Sequence, residues 1–198
     1  MFLRLAQRIT RKLRNKKYIE PEESEIFEYG FFLVISQIVY STICLLCGIF
    51  FCCVIECIIF YISFMVIREY AGGFHASTEL RCFLFSTASI ISCVAIIKVL
   101  NQNNFDTIFM ITLFIATWII VILSPLDTPE KPLTKKERIK FRQKSLIILS
   151  ILLIICVVSL IKFGYIGYPI GIGIILESFL LLLGKAKKVR LNHISKNN

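Results

Sequence analysis

The sequence is poor in charged residues and in histidine. Only 18% of its 198 residues are charged, against about 25% in an ordinary soluble domain. Its imidazole groups come from two histidines alone, His75 and His193. The motif H-E-x-x-H is absent, and the chain has too few histidines to build a zinc-dependent membrane protease. We therefore expect no bound metal and no other cofactor, and a water-soluble domain is not the leading class.

Long apolar runs take the place of the missing charge. Hydrophobic residues make up 57% of the chain and its mean hydropathy is +0.77. About 20 apolar residues let a helix cross a bilayer, and residues 31–67 are long enough for two spans with a turn near residues 48–53. Four more spans are predicted, at residues 82–100, 105–124, 146–163 and 166–184. The predicted fold class is an all-α polytopic membrane protein with about six transmembrane helices, and a four-span version with a re-entrant segment stays open.

The first 17 residues form a basic leader. Apolar residues recur in it at helical spacing, at Phe2, Leu5, Ile9 and Leu13. This pattern predicts an N-terminal amphipathic helix in the membrane interface, with a solvated basic leader as the alternative. The stretch lacks the uninterrupted apolar core of a cleavable signal peptide. We expect a single membrane-embedded domain over residues 1–198.

The net charge of +10 is concentrated in a few segments. All but two of the 23 Lys and Arg residues fall in residues 1–17, 68–81, 131–144 and 185–196. Basic segments beside apolar spans are typical of cytoplasmic loops that contact anionic lipid. The bias predicts cytoplasmic termini, a basic cytoplasmic loop at 125–144 and a basic tail at 185–198. No nucleic-acid partner is expected, because no aromatic-interleaved basic face accompanies the charge.

Residues 68–82 form a polar island between two apolar runs. It contains Gly72, Gly73, His75 and Cys82. A thiol and an imidazole are the side chains that cysteine-nucleophile catalysis requires. The glycines let a substrate backbone approach closely or present amides to a developing oxyanion. The other seven cysteines lie in apolar runs, where a thiol behaves as a small hydrophobic group. A loop histidine near an ordinary membrane cysteine is the simpler alternative.

Helix geometry places a condition on this pair. Seven residues of continuous helix separate two side chains by about 10.5 Å along the axis. A nucleophile and its base need a separation of about 3 Å. His75 therefore reaches Cys82 only if the chain bends at Gly72–Gly73, or if a second subunit contributes one member of the pair.

The polar island resembles the accessory gene regulator B family of quorum-sensing membrane endopeptidases. The matching residues are Arg68, Tyr70–Ala71, Gly73, His75–Ala76 and Cys82. A second match is the loop at residues 125–133, which is followed by several basic residues. Overall length, the basic leader and the order of the spans also match. The resemblance therefore covers nearly the whole chain.

The resemblance implies a specific activity. The family's catalytic pair corresponds to His75 and Cys82, and its motif arginine and glycine correspond to Arg68 and Gly73. The implied substrate is a short AgrD-like pro-peptide with an amphipathic leader and an acidic tail. A cysteine endopeptidase of this kind removes the tail through an acyl-thioester and closes a thiolactone or lactone ring. The resemblance also implies a homodimer in the bacterial cell membrane, and the charge bias puts its active site at the cytoplasmic face.

Several assignments stay open. Lys131, Lys135 and Lys136 either bind the acidic tail of the substrate or simply belong to a positive-inside loop. No third catalytic residue is assigned. Glu56 and Glu177 lie inside apolar spans, where an acid is often functional, but pairing with a lysine or a backbone group is the simpler interpretation. The rival function is a non-catalytic transporter or scaffold, which neither internal repeats nor paired polar residues in the spans support.

Overall fold

The described part of the chain folds into seven α-helices. The computed structural model describes residues 2–74, 76, 78–102, 106–127 and 133–197, without the side chains of residues 106 and 191–197. No strand beyond a single isolated bridge occurs in those ranges. The helices are α1 (Phe2–Asn15), α2 (Ser24–Phe50), α3 (Val54–Ala71), α4 (Glu79–Gln102), α5 (Asp106–Leu123), α6 (Lys135–Phe163) and α7 (Gly167–Asn197). The predicted all-α fold class is confirmed.

Within the described ranges, six helices follow the amphipathic one. Four of them, α2, α4, α6 and α7, are long and apolar enough to cross a membrane. Helices α3 and α5 contain 18 residues each and rise about 27 Å, slightly less than a hydrocarbon core of about 30 Å. The expected turn in the first apolar run is present, because α2 ends at Phe50 and α3 begins at Val54.

Helix α1 is amphipathic and packs along α2. Its buried residues recur every four positions, at Phe2, Ala6 and Thr10, so one face of the helix is covered. The Phe2 ring meets the edge of Phe83 with 5.7 Å between ring centroids. The Phe2 amide also donates a hydrogen bond to the carboxylate of Glu79. The leader is therefore attached to the first turn of α4.

Helix α7 lies at the centre of the bundle and packs against α3, α4, α5 and α6. A Cβ atom at Gly173 would lie 3.1 Å from the backbone nitrogen of Phe64, so the glycine lets α3 and α7 approach closely. The outer helices expose apolar side chains, for example Ile111, Phe114 and Trp118 on α5. Such a surface suits contact with lipid chains.

Two helices continue beyond the predicted apolar spans. The basic loop was expected to extend to residue 144, but α6 begins at Lys135. The cause is a capping box in which the Thr134 hydroxyl accepts from the Glu137 amide while the Glu137 carboxylate accepts from the Thr134 amide. The segment 185–198 was expected to be a tail, but α7 continues to Asn197. No glycine or proline follows Gly184 to end that helix.

Candidate active site

The polar island contains a break between two helices. Helix α3 ends at Ala71 and α4 begins at Glu79. Gly72 and Gly73 have φ values of 81° and 133°, which side chains with a Cβ rarely adopt. The helix therefore breaks at the two glycines, which is one of the two conditions stated above for a pair between His75 and Cys82. His75 lies outside the described residues, so its approach to Cys82 stays a prediction.

Arg68 shapes the chain directly after the break. Its Nη1 donates to the carbonyl of Gly72 at 2.8 Å, and its Nη2 donates to the carbonyl of Phe74 at 2.7 Å. A Cβ atom at Gly73 would lie 1.8 Å from Nη1. The guanidinium thus supplies hydrogen bonds to carbonyls that no longer have helical partners. We call residues Gly72, Gly73 and Phe74 the glycine segment.

The glycine segment also pairs with a loop that is remote in sequence. Gly72 forms a parallel bridge with Leu126, and the Leu126 amide donates to the Ala71 carbonyl at 2.9 Å. A Cβ atom at Gly72 would lie 2.2 Å from the Leu126 carbonyl oxygen. On its other side, the Phe74 amide donates to the Leu180 carbonyl of α7 at 3.1 Å. The two motifs noted in the sequence are therefore in direct contact.

Glu177 on α7 faces Arg68. Its Oε2 lies 3.6 Å from Nη1 of Arg68, and its side chain is 0% exposed. Neither carboxylate oxygen accepts a hydrogen bond within the described part of the chain. The expectation that this acid pairs with a lysine or a backbone group is wrong, because tertiary packing places the last turn of α3 against the middle of α7.

Cys82 lies in the first turn of α4. Its amide donates to the Thr78 carbonyl at 3.0 Å, and its side chain is partly accessible. The positive end of the helix dipole at this position favours a negative charge. The ring of Tyr40, on α2, stacks on the ring of Phe83, the residue after Cys82, with 6.2 Å between the centroids. Tyr40 is a neighbour of the candidate nucleophile that sequence reasoning missed, since the spacing of 42 residues carries no local signal.

Cys82 differs from most of the other cysteines in its accessibility. All eight cysteines are free thiols. Five are buried in the helix bundle, at Cys44, Cys53, Cys57, Cys93 and Cys156. Cys82 combines partial accessibility with a place in the first turn of a helix, eight residues after the glycine segment. Among the residues with described positions, no group of three or more His, Cys, Asp or Glu side chains is arranged to hold a metal ion.

Asp127 anchors the second motif. Its Oδ1 accepts from Nζ of Lys188 at 2.8 Å, and its Oδ2 lies 2.9 Å from Nη2 of Arg138. The hydrogen bond from Lys188, with a smaller contribution from the charge of Arg138, holds the pKa of the Asp127 carboxyl below its usual range. The residue next to Leu126 is thus tied to both α6 and α7.

The lysines expected to bind substrate are only partly located. Lys135 and Lys136 are exposed on the first turn of α6, whereas Lys131 lies outside the described residues. A different basic residue of this helix holds the loop, because Nη1 of Arg142 donates to the Ser124 carbonyl at 3.1 Å. The structure thus separates cations that build the loop from lysines that face solvent.

Comparison with known proteins gives consistent matches. The family model described as Accessory gene regulator B matches residues 6–181. A putative AgrB-like protein of Clostridium perfringens (strain SM101 / Type A) is 27% identical over 186 residues, which cover 91% of this chain and 87% of the relative. The accessory gene regulator protein B of Staphylococcus aureus (strain MW2) is 32% identical over 121 residues, which cover 61% and 62%. No solved structure matches.

Proposed function

Because the chain belongs to the accessory gene regulator B family, we propose that it is a membrane cysteine endopeptidase for an AgrD-like pro-peptide. Family membership implies an accessory gene regulator role in quorum sensing, and the apolar helices indicate a membrane protein. One observation carries the finer proposal. Cys82 stands in the first turn of α4, directly after a broken helix. Because the chain between Ala71 and Glu79 is not helical, the constraint by which a continuous helix would hold His75 and Cys82 about 10.5 Å apart does not apply.

The first half of the proposed reaction transfers the peptide to the enzyme. His75 takes the proton of the Cys82 thiol, and the thiolate attacks the carbonyl carbon at the junction between ring-forming residues and tail. The C–N bond breaks, and the tail amine leaves with the proton that His75 returns. The peptide is then held as a thioester on Cys82.

The second half closes the ring. A cysteine thiol or serine hydroxyl within the peptide gives its proton to His75 and attacks the thioester carbonyl, the bond to the Cys82 sulfur breaks, and His75 returns the proton to the Cys82 thiolate. The product is a thiolactone or a lactone. Exchange of one thioester for another changes the free energy little, so water must be kept from the acyl group. Cys82 is half-buried at the start of α4, where the next residue, Phe83, packs against Phe2 of α1 and Tyr40 of α2, and this packing supports such exclusion.

Charge at one end of the bundle supports recognition of an acidic tail. This end unites the start of α1, the glycine segment, Asp127 and the start of α6. We place it at the cytoplasmic face of the bacterial cell membrane, with both chain termini on that side. Lys135 and Lys136, together with Lys131, are the proposed contacts of the tail. A homodimer embedded in the lipid bilayer is part of the proposal.

The direct test is co-expression with the cognate pro-peptide. We expect Cys82→Ala and His75→Ala each to abolish release of the tail, because each removes one member of the proposed pair. Mass spectrometry of the cell extract and the medium measures free tail and cyclic peptide.

Cys52→Ala is the matched control. Cys52 is an exposed thiol in the turn between α2 and α3, and its loss is expected to leave processing unchanged. Membrane insertion of every variant is checked by fractionation. Normal processing by Cys82→Ala would refute the mechanism and favour the transporter or scaffold alternative.

A further inference from the structure

We infer that Glu177 is a positioning residue for the proposed reaction. Its carboxylate holds the Arg68 guanidinium, and the guanidinium in turn holds the glycine segment that leads into His75. The inference rests on the proposed function, because it concerns the placement of the proposed base.

The burial of Glu177 is the first argument. Its side chain is 0% exposed and it lies in a helix that is long and apolar enough to cross a membrane. A carboxylate in such a place is costly unless another charged group compensates it. Nη1 of Arg68, at 3.6 Å, provides that compensation. Removing either partner leaves a buried charge alone, so the two side chains act as a pair.

The hydrogen bonds of Arg68 are the second argument. Its two terminal nitrogens donate to the carbonyls of Gly72 and Phe74, one on each side of Gly73. A planar guanidinium presents these donors in a rigid fork, which the single ammonium of a lysine cannot reproduce. Because Glu177 contacts the same Nη1 that donates to Gly72, it fixes the position of the Arg68 guanidinium. The guanidinium in turn fixes the position of the glycine segment through its two hydrogen bonds.

The neighbouring positions on α7 are the third argument. Leu180 accepts from the Phe74 amide, and a Cβ atom at Gly184 would lie 3.1 Å from the carbonyl carbon of Gly73. Glu177, Leu180 and Gly184 are spaced three and four residues apart, so they share one face of the helix. This face supports the glycine segment along its length, and Glu177 is its charged anchor.

The first experiment measures steady-state processing of the cognate pro-peptide by the full-length protein in nanodiscs. We expect Glu177→Gln to lower kcat by about tenfold to a hundredfold, because small displacements of a catalytic group have effects of this size. KM is expected to change by less than about twofold, since Glu177 does not touch substrate. Glu177→Asp keeps the charge and is expected to recover part of the lost kcat.

Glu56→Gln is the matched control. Glu56 is also an acid inside an apolar helix, near the opposite end of α3 from Arg68, and Nδ2 of Asn101 lies 3.4 Å from its Oε1. Its replacement is expected to leave kcat unchanged. Equal losses in Glu56→Gln and Glu177→Gln would overturn the inference, because a general effect of removing a membrane acid would then explain both.

A second readout needs no substrate. Alkylation of Cys82 by iodoacetamide is followed by peptide mass spectrometry between about pH 6 and pH 9, a range that brackets the pKa of a free thiol. We expect Glu177→Gln to shift the pH profile toward that of His75→Ala. If His75→Ala alters neither alkylation nor processing, the proposed function fails. If His75→Ala alters both while Glu177→Gln alters neither, the inference alone fails.

A double variant without charge at either position tests whether misfolding explains the effect of Glu177→Gln. Arg68→Gln combined with Glu177→Gln leaves no buried charge uncompensated and is expected to fold. It lacks the guanidinium fork, so its kcat is expected to stay at the level of Glu177→Gln or below. Wild-type kcat in this double variant would overturn the inference.

Discussion

At the scale of single residues, the candidate site depends on two adjacent positions that have no Cβ atom. Gly72 and Gly73 have positive φ values, and each lies where a Cβ would collide with a fixed neighbour. The neighbour of Gly73 is the same Arg68 guanidinium that holds the carbonyls on either side of it. The conformation of the glycine segment and the position of Arg68 are therefore one structural feature.

The residue-scale prediction concerns Gly73→Ala. The added methyl would lie 1.8 Å from Nη1 of Arg68 at a φ of 133°, so either the guanidinium or the segment must move. We expect release of the peptide tail to fall at least about tenfold, since the segment leads into the proposed base. Quantitative mass spectrometry of the released tail provides the measurement.

The control for this glycine is Gly30→Ala. Gly30 lies in α2, and nothing stands within 4 Å of a Cβ built on it. This replacement is expected to keep full activity and to stabilise the helix by about 0.5–1 kcal/mol. Full activity in Gly73→Ala would show that the close contact with Arg68 does not matter for the reaction.

At the scale of helices and loops, Asp127 joins three pieces of chain. The loop residue binds Lys188 of α7 and Arg138 of α6, and its neighbour Leu126 pairs with Gly72. The contact between the two sequence motifs thus depends on an ion pair at the end of the bundle. Because the pKa of Asp127 is lowered in the folded protein, this link has a definite dependence on pH.

The element-scale prediction is a loss of stability in Asp127→Asn that depends on pH. A carboxyl with a lowered folded pKa stabilises the protein above its unfolded pKa of about 3.9, and the effect disappears as the pH falls through the folded value. We expect Asp127→Asn to be about 1 kcal/mol less stable near neutral pH. Its stability relative to the wild type should approach equality in acid.

Thermal unfolding in detergent, measured at several pH values, provides the test for Asp127→Asn. The same scan in high salt should shrink the difference, because these partners are partly exposed and screened. A difference that stays constant at all pH values would mean that the charge of Asp127 plays no part.

At the scale of the whole molecule, the contacts gather the functional segments at one end of the bundle. The start of α1 binds the start of α4, and the start of α6 binds the loop next to the glycine segment. Basic residues are abundant in the sequence segments that form this end of the bundle. We expect this end to face the cytoplasm, where a newly made peptide first meets the membrane.

The prediction of sidedness uses a membrane-impermeant maleimide on intact cells. Cys52, exposed between α2 and α3, is expected to react, because that turn lies at the opposite end of α3 from the glycine segment. A thiol introduced by Lys135→Cys at the start of α6 is expected to react only after the membrane is permeabilised. Peptide mass spectrometry identifies the labelled sites. The reverse labelling pattern would invert the proposed orientation.

Local physics explains how much of this protein was predictable from its sequence. The all-α class, the order of the helices, the amphipathic α1 and the break at Gly72–Gly73 all follow from apolar runs, helical spacing and backbone preferences. These properties act over a few residues. The start of α6 at Lys135 also has a local cause, the capping box of Thr134 and Glu137. The sequence analysis did not use that signal, because the many basic residues nearby indicated a loop.

The sequence by itself determined that a histidine and a cysteine stand beside a pair of glycines at the edge of apolar spans. Only the tertiary structure decided what surrounds the glycines and the cysteine. The pairing of Arg68 with Glu177, the bridge between Gly72 and Leu126, and the stacking of Tyr40 on Phe83, next to Cys82, join residues far apart in the chain. Such contacts arise because buried charges and backbone groups must find partners wherever the packing of the helices places them.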